Sequence, residues 1–243
     1  MSKTKWDKKA TSYTRFTPKP TQFQQKVFDF IDTNSVKLNE KRVLDIGCGT
    51  GVYTLHLAKK ALHVDALDFS EEMLKILNED AKRFEINNIN TIAGTFDAFE
   101  SSLYYDIAFC SMSPAVSDAK SFEKMDKCAK TKIFLGWGGK RQSSLHDPIF
   151  KAFGSSYHAP SGGLDLLSWL KETKKDFRHT VLKERRESVY NLAKAIENVS
   201  WHLDINGVTF STDKLVNILK EFEDENQEIV NVVDSEMVLA IWS

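Results

Sequence analysis

The residues of this 243-residue chain best suited to chemistry are two aspartates and the glycines between them. The apolar run Val43-Leu44-Asp45-Ile46 leads straight into Gly47-Cys48-Gly49-Thr50-Gly51, and Asp68 ends the next apolar run, His63 to Asp68. Glycine has no Cβ, so a backbone built from it can approach a ligand closely. A turn from strand into helix also aims backbone N–H groups at that ligand. The spacing is G-x-G-x-G. A dinucleotide loop requires G-x-G-x-x-G, which would put a third glycine where Val52 stands. Asp45, just ahead of the first glycine, is a poor neighbour for a pyrophosphate. A carboxylate is well suited to accept charge-assisted hydrogen bonds from an ammonium group. The spacing therefore favours a ligand with a cationic head.

These residues need a scaffold, and the hydrophobic pattern supplies one. Phe23, Val27, Phe30 and Ile31 recur at helical spacing after Pro18, Pro20 and Thr21. Arg42–Ile46 is a short buried strand, and a helix over Val52–Lys60 follows the glycine turn. After the second strand, His63–Asp68, Ser70 is an N-cap with Glu71 and Glu72 in the first turn. Met73, Ile76, Leu77, Ala81 and Phe84 give that helix its apolar face. Strands are predicted at Asn90–Ala93, Asp106–Met112 and Lys132–Trp137, with a helix through Phe122, Met125 and Cys128 before the last of these. Beyond them the pattern predicts a helix over Gly163–Thr173, a charged strand Thr180–Tyr190, helices Leu192–Ile205 and Thr212–Phe222, and a final strand Glu236–Trp242. Strands alternating with helices imply βαβ units and an α/β fold with a parallel sheet covered on both faces.

The segment Leu44-Asp45-Ile46-Gly47-Cys48-Gly49-Thr50-Gly51 resembles the first motif of class I S-adenosylmethionine-dependent methyltransferases. The likeness continues through Leu67-Asp68-Phe69-Ser70 with Met73, through Gly94-Thr95-Phe96-Asp97, and through Tyr105-Asp106-Ile107-Ala108-Phe109. It spans roughly residues 40 to 137. Trp6 to Ala10 and Tyr13 are similar to the N-terminal lid of small-molecule members, and Ser111-Met112-Ser113-Pro114-Ala115 resembles a bacterial subgroup. The resemblance implies a Rossmann-like sheet of seven mostly parallel strands. Its last strand would run antiparallel between strand five and Thr180–Tyr190. It implies S-adenosyl-L-methionine as cofactor. Gly47, Cys48 and Gly49 would wrap the methionine part, and Asp45 would order the loop or meet the amino group. Asp68 would take the ribose hydroxyls with Phe69 against adenine, Asp97 would accept from the adenine amino group beside Phe96, and Ser111 or Met112 would lie near the sulfonium. Other readings stand beside these. Asp68 can cap a helix, Asp97 can be a turn residue, and Phe96 can be plain core.

Methyl transfer from a sulfonium is an in-line displacement that needs alignment and exclusion of water more than a base. Candidate acceptor contacts are Tyr13, Ser113, Trp137, Arg141, His146, Tyr157 and His158. Of these, Tyr13, His146 and His158 are the candidates for a catalytic role, though a loop histidine beside Asp147 is commonly structural. The polar residue, two prolines and aromatic that mark amino-group methylation of DNA or glutamine are not met by Ser113-Pro114-Ala115-Val116. A small-molecule acceptor is expected, and the alternative is a methyltransferase-like binding module without turnover. One domain is expected over 1–243: lid and first helix at 1–35, cofactor core at 36–137, acceptor-side loop and C-terminal elements at 138–243. Trp6 to Phe16 would close over the cofactor, and a loop from Trp137 to Ala159 would form the opposite wall.

Composition narrows the partners. Lys plus Arg number 33 against 34 Asp plus Glu, a formal charge of -1, and the run Lys183-Glu184-Arg185-Arg186-Glu187 mixes signs. No nucleic-acid partner is expected. Cys48, Cys110 and Cys128 lack metal-ligand spacing, so no metal is expected, and reduced thiols fit a cytoplasmic protein. The polar, lysine-rich start has no apolar run behind it, so neither a signal peptide nor a membrane anchor is expected. Oligomeric state is not legible.

Overall fold

A computed structural model describes residues 3–157 and 160–243. In chain order its elements are α1 (Lys3–Ala10), α2 (Gln22–Thr33), β1 (Arg42–Ile46), α3 (Thr54–Ala58), β2 (His63–Asp68), α4 (Glu71–Arg83), β3 (Ile89–Ala93), β4 (Tyr105–Ser111) and α5 (Ala119–Cys128). Then come β5 (Ala129–Ser143), α6 (His146–Ala152), α7 (Gly162–Glu172), β6 (Phe177–Tyr190), α8 (Leu192–Ile205), α9 (Thr212–Lys220) and β7 (Ile229–Trp242). The chain divides into two compact units. One holds 1–138, 161–182 and 237–243, and the other holds 139–160 and 183–236.

The seven strands lie in the order β3-β2-β1-β4-β5-β7-β6. Strands β1 to β5 are parallel, with Asp45 level with Ala66 on one side and Phe109 on the other. The last strands are antiparallel, and β7 sits between β5 and β6 as expected.

Period-two alternation sorts the side chains of the first unit onto two faces. Leu44, Ile46, Ala108 and Cys110 point into a core with Phe122, Met125, Leu166 and Trp242. Val43, Ile107, Phe109 and Ile133 point into another with Val27, Phe28, Ile31 and Leu57. Both faces are covered, so these strands read as continuous apolar runs. Asp45 shares its alternation with Val43, which places it on the face that carries α3.

The second unit has its own core. Leu145, Ile149 and Phe150 pack with Ala195, Val199 and Leu203 of α8 and with Leu215 and Leu219 of α9.

Three boundaries depart from expectation. β5 runs on to Ser143, and α6 follows it, where a loop from Trp137 to Ala159 was expected. Gly138 and Gly139 were expected in that loop and lie inside β5, while Gly136 keeps its expected place in the strand, where packing sets the requirement. A Cβ there would sit 2.3 Å from the Phe134 ring. β7 begins at Ile229, ahead of the expected Glu236. Its first half alternates in burial, while Met237 to Trp242 are buried throughout. The N-terminal stretch is helical over Lys3–Ala10.

Candidate functional site

The strand order brings the ends of β1, β2 and β4 together, and the glycine turn leaves from the first of them. Gly47, Gly49 and Gly51 all have positive φ, at 69°, 55° and 80°. This left-handed backbone suits glycine and little else. Each glycine has its own surroundings. A Cβ on Gly47 would fall 1.9 Å from Ser113 Oγ in the turn after β4. One on Gly51 would meet Leu77 of α4 at 2.6 Å, while Gly49 has nothing within 4 Å. The outer two glycines let the turn pack between neighbours, and the middle one faces open space.

Asp68 ties the turn to the end of β2. Its Oδ2 accepts from Gly49 N at 2.9 Å and its Oδ1 from Ser70 N at 2.9 Å. Gly47 N and Cys48 N both donate to Leu67 O, at 2.8 and 3.0 Å. The Asp68 side chain is buried, and loss of solvent holds its pKa above the usual carboxylate range despite these N–H donors. A carboxylate offers about four lone-pair directions, so one on each oxygen is left for another donor.

Asp45 is 2% exposed and accepts from Thr54 Oγ1 at 2.6 Å. Burial, with a smaller contribution from the Asp68 charge, pushes its pKa up to about 7. Two buried carboxylates therefore flank a loop whose central glycine faces open space. Burial also raises the thiols of Cys48 and Cys110, which makes them inert packing groups.

The N-terminal segment is docked against this site. Ser70 Oγ donates to Asp7 Oδ1 at 2.6 Å, so the cap of α4 is also the anchor of α1. Ala10 is buried with Met73 and Ile76, and Trp6 packs against them. Thr50 Oγ1 donates to Thr14 O at 2.6 Å. Arg15 holds Asp80 through two bonds, of 3.1 and 2.7 Å, and Phe16 is buried with Leu55 and Ala81. The segment thus crosses from α4 to α3 past the glycine turn. Tyr13 lies within it, 38% exposed and edge-on to Trp6 at 6.2 Å. The contacts of Asp7, Thr14 and Thr54 were missed in the sequence, where nothing distinguishes a polar side chain that bonds a distant one from one that is merely solvated.

The other expected site residues divide between the strand ends and places away from them. Met73 faces α1, as part of the cluster with Ala10. Phe96 is 3% exposed in the core beside Lys124, in a turn closed by Phe99 N on Thr95 O. Asp97 stands on the surface, paired with Lys120. Phe69 is half-buried next to Asp68, and Ser111 ends β4. Met112 has a positive φ of 53° and donates its N–H to Leu135 O at 2.7 Å. A non-glycine residue held there costs on the order of 1–3 kcal/mol.

His146 belongs to the second unit and is 1% exposed. Its Nδ1 lies 2.8 Å from Ser143 Oγ and its Nε2 3.0 Å from Asn198 Oδ1, while its ring meets His202 at 4.3 Å. Burial, with the Arg141 charge adding to it, lowers its pKa to about 4. Both ring nitrogens are committed to a buried structural network. His158 lies outside the described residues. Among the described residues no cluster of three or more His, Cys, Asp or Glu could hold a metal ion, and no helix is long and apolar enough to cross a membrane.

Residues 43–131 match a family model described as a methyltransferase domain. An uncharacterized protein of Haemophilus influenzae is 30% identical over 153 residues, covering 62% of this chain and 55% of its own length. A ubiquinone biosynthesis O-methyltransferase of Nitrosomonas europaea is 31% identical over 114 residues, covering 45% and 46%. The chain thus spans about half the length of these curated relatives. Among solved structures, a methyltransferase of Thiobacillus denitrificans in complex with S-adenosyl-L-homocysteine superimposes with a TM-score of 0.52 at 15% identity, covering 96% of this chain and 95% of that one. At that identity the likeness is one of fold.

Proposed function

We propose that this chain, which belongs to the class I S-adenosylmethionine-dependent methyltransferases through its domain at residues 43–131, binds S-adenosylmethionine and passes its methyl group to a small-molecule acceptor. The observation that carries the reading is the pairing of Asp68 with Gly49, which holds an open glycine turn against a buried carboxylate. S-adenosylmethionine supplies an electrophilic methyl on a good leaving group. The residues present fit it. The free lone pairs of Asp68 suit a pair of ribose hydroxyls, and Gly49 leaves room for a methionine backbone. Buried Asp45 suits a cationic neighbour.

The segment 3–16, docked beside the glycine turn, would exclude water from one side of this site, with Trp6 and Tyr13 as its aromatic groups. None of the candidate bases is needed for an acceptor that is already nucleophilic. The match to an O-methyltransferase of ubiquinone biosynthesis makes a small hydroxylated acceptor a sound first class to screen.

Calorimetry with S-adenosylhomocysteine on the full chain tests the cofactor, with NAD as the negative control. Saturable binding of the first alone is expected, and binding of NAD alone would overturn the reading. A screen for label transfer from methyl-tritiated S-adenosylmethionine tests turnover. Cofactor binding without transfer to any of a broad acceptor panel would favour a binding module.

A further inference from the structure

The second unit carries an arginine with an unmet demand. Arg141 Nη1 is shielded from solvent and meets no hydrogen-bond acceptor. Among the described residues no carboxylate pairs with it. Its neighbour Lys140 takes Glu236 at 3.6 Å, and Asp147 accepts from Ser143 N. His146, whose pKa the Arg141 charge helps to lower, offers no compensating negative charge. A guanidinium cannot shed its proton, so the cost of leaving a shielded N–H⁺ unpaired stands at every physiological pH.

The group is also oriented. Its central carbon lies 4.5 Å from the centroid of the Tyr157 ring, within cation–π reach. Tyr157 is itself fixed edge-on by Phe150 at 5.4 Å, and it meets His202 at 6.2 Å. A guanidinium held on a ring directs its planar N–H fork within its own plane, and that fork matches the two oxygens of a carboxylate. The walls beside it are aromatic.

From this we propose that Arg141 and Tyr157 form a binding site for a small-molecule carboxylate, with the acid group on the guanidinium and a flat apolar body against the rings. The site lies within the second unit and stands independently of methyl transfer.

The test uses benzoate as probe, with benzamide and inorganic phosphate as comparisons, by saturation-transfer NMR on the full-length protein. Benzoate is expected to bind saturably in the millimolar range. Arg141→Gln should weaken it at least tenfold, and benzamide should bind at least tenfold more weakly than benzoate. S-adenosylhomocysteine affinity should be the same in Arg141→Gln and the parent, which reads the cofactor site separately, and parental amide chemical shifts for the core residues Leu145, Ile149, Val199 and Leu215 report that the second unit of the variant is folded. The proposal falls if benzoate does not bind or if the variant binds it equally well. It also falls if benzamide matches benzoate or if phosphate binds more tightly than benzoate.

Discussion

Asp68→Ala isolates the interaction on which the cofactor site depends. In the parent its two oxygens each hold a backbone N–H at 2.9 Å, one from the glycine turn and one from the start of α4. A hydrogen bond to a charged group contributes about 1.5–3 kcal/mol. Loss of one such bond to a ligand corresponds to roughly ten- to 150-fold in affinity. The alanine variant also frees the Gly49 N–H, so the turn loses its tether as well as a ligand partner. Buried Asp68 is held above its ordinary pKa, which means its charge is a strain on the free fold. Its removal relieves that strain but leaves the Gly49 and Ser70 N–H groups without their acceptor, so the melting temperature of the free protein should fall modestly while binding suffers more. Titration calorimetry with S-adenosylhomocysteine at pH 8 measures the affinity, and a thermal melt of the same sample measures the stability. An affinity within twofold of the parent would refute the assignment. A large fall in melting temperature with parental affinity would mean that Asp68 serves the turn alone.

Two further perturbations address the N-terminal segment and the core beneath it. Removal of residues 1–12 spares Arg15 and Phe16 but breaks the bond between Asp7 and Ser70, so affinity for S-adenosylhomocysteine should fall at least fivefold with only a small change in melting temperature; parental affinity would exclude a lid. His56 is 6% exposed between Phe16 and Phe28, at 4.7 and 5.7 Å, and burial depresses its pKa to about 4. A histidine with a lowered folded pKa contributes stability that is present above its unfolded value, near 6.5, and is lost as pH falls toward 4. His56→Phe should therefore flatten the decline in melting temperature between pH 6.5 and 4, and an unchanged decline would show that another group is responsible.

The glycine turn and the parallel strands were legible because each has a local cause, whereas the place of β7 came from the family resemblance, since hydrophobic pattern alone sets no strand order. Gly47, Gly49 and Gly51 need positive φ, the strands are apolar on both faces, and Ser70 caps α4 within its own turn. What the sequence concealed depends on partners far along the chain. Gly138 and Gly139, expected in a loop, lie inside β5, whose partner β7 comes far along the chain. Phe96 and Asp97 carry plausible side chains for a nucleobase, yet one is buried in the core and the other is exposed and paired with Lys120. His146 beside Asp147 has the look of a reactive pair, but Ser143, Asn198 and His202 enclose the ring. Residue type alone cannot separate a satisfied buried histidine from an available one.

The buried pair of carboxylates leads to a test of the charge of the ligand itself. Asp45 and Asp68 both lie above their ordinary pKa values, Asp45 through burial first and through the Asp68 charge second. With a value of about 7, Asp45 is half protonated at pH 7. An opposite charge within ~4–6 Å lowers a carboxyl pKa by about 1–3 units. Binding of a ligand with a cationic head beside Asp45 should then release roughly half a proton per site at pH 7, and almost none at pH 9, where Asp45 is already ionised. The sign is fixed: affinity should rise with pH through 7 and then level off, so far as Asp45 governs it. Calorimetry of S-adenosylmethionine binding in buffers of different ionisation enthalpy reads the released proton directly. Asp45→Asn should abolish the release while keeping an acceptor for Thr54 Oγ1, which separates the charge of Asp45 from its role in the turn. No release at pH 7, or the same release from the asparagine variant, would place the cationic head away from Asp45.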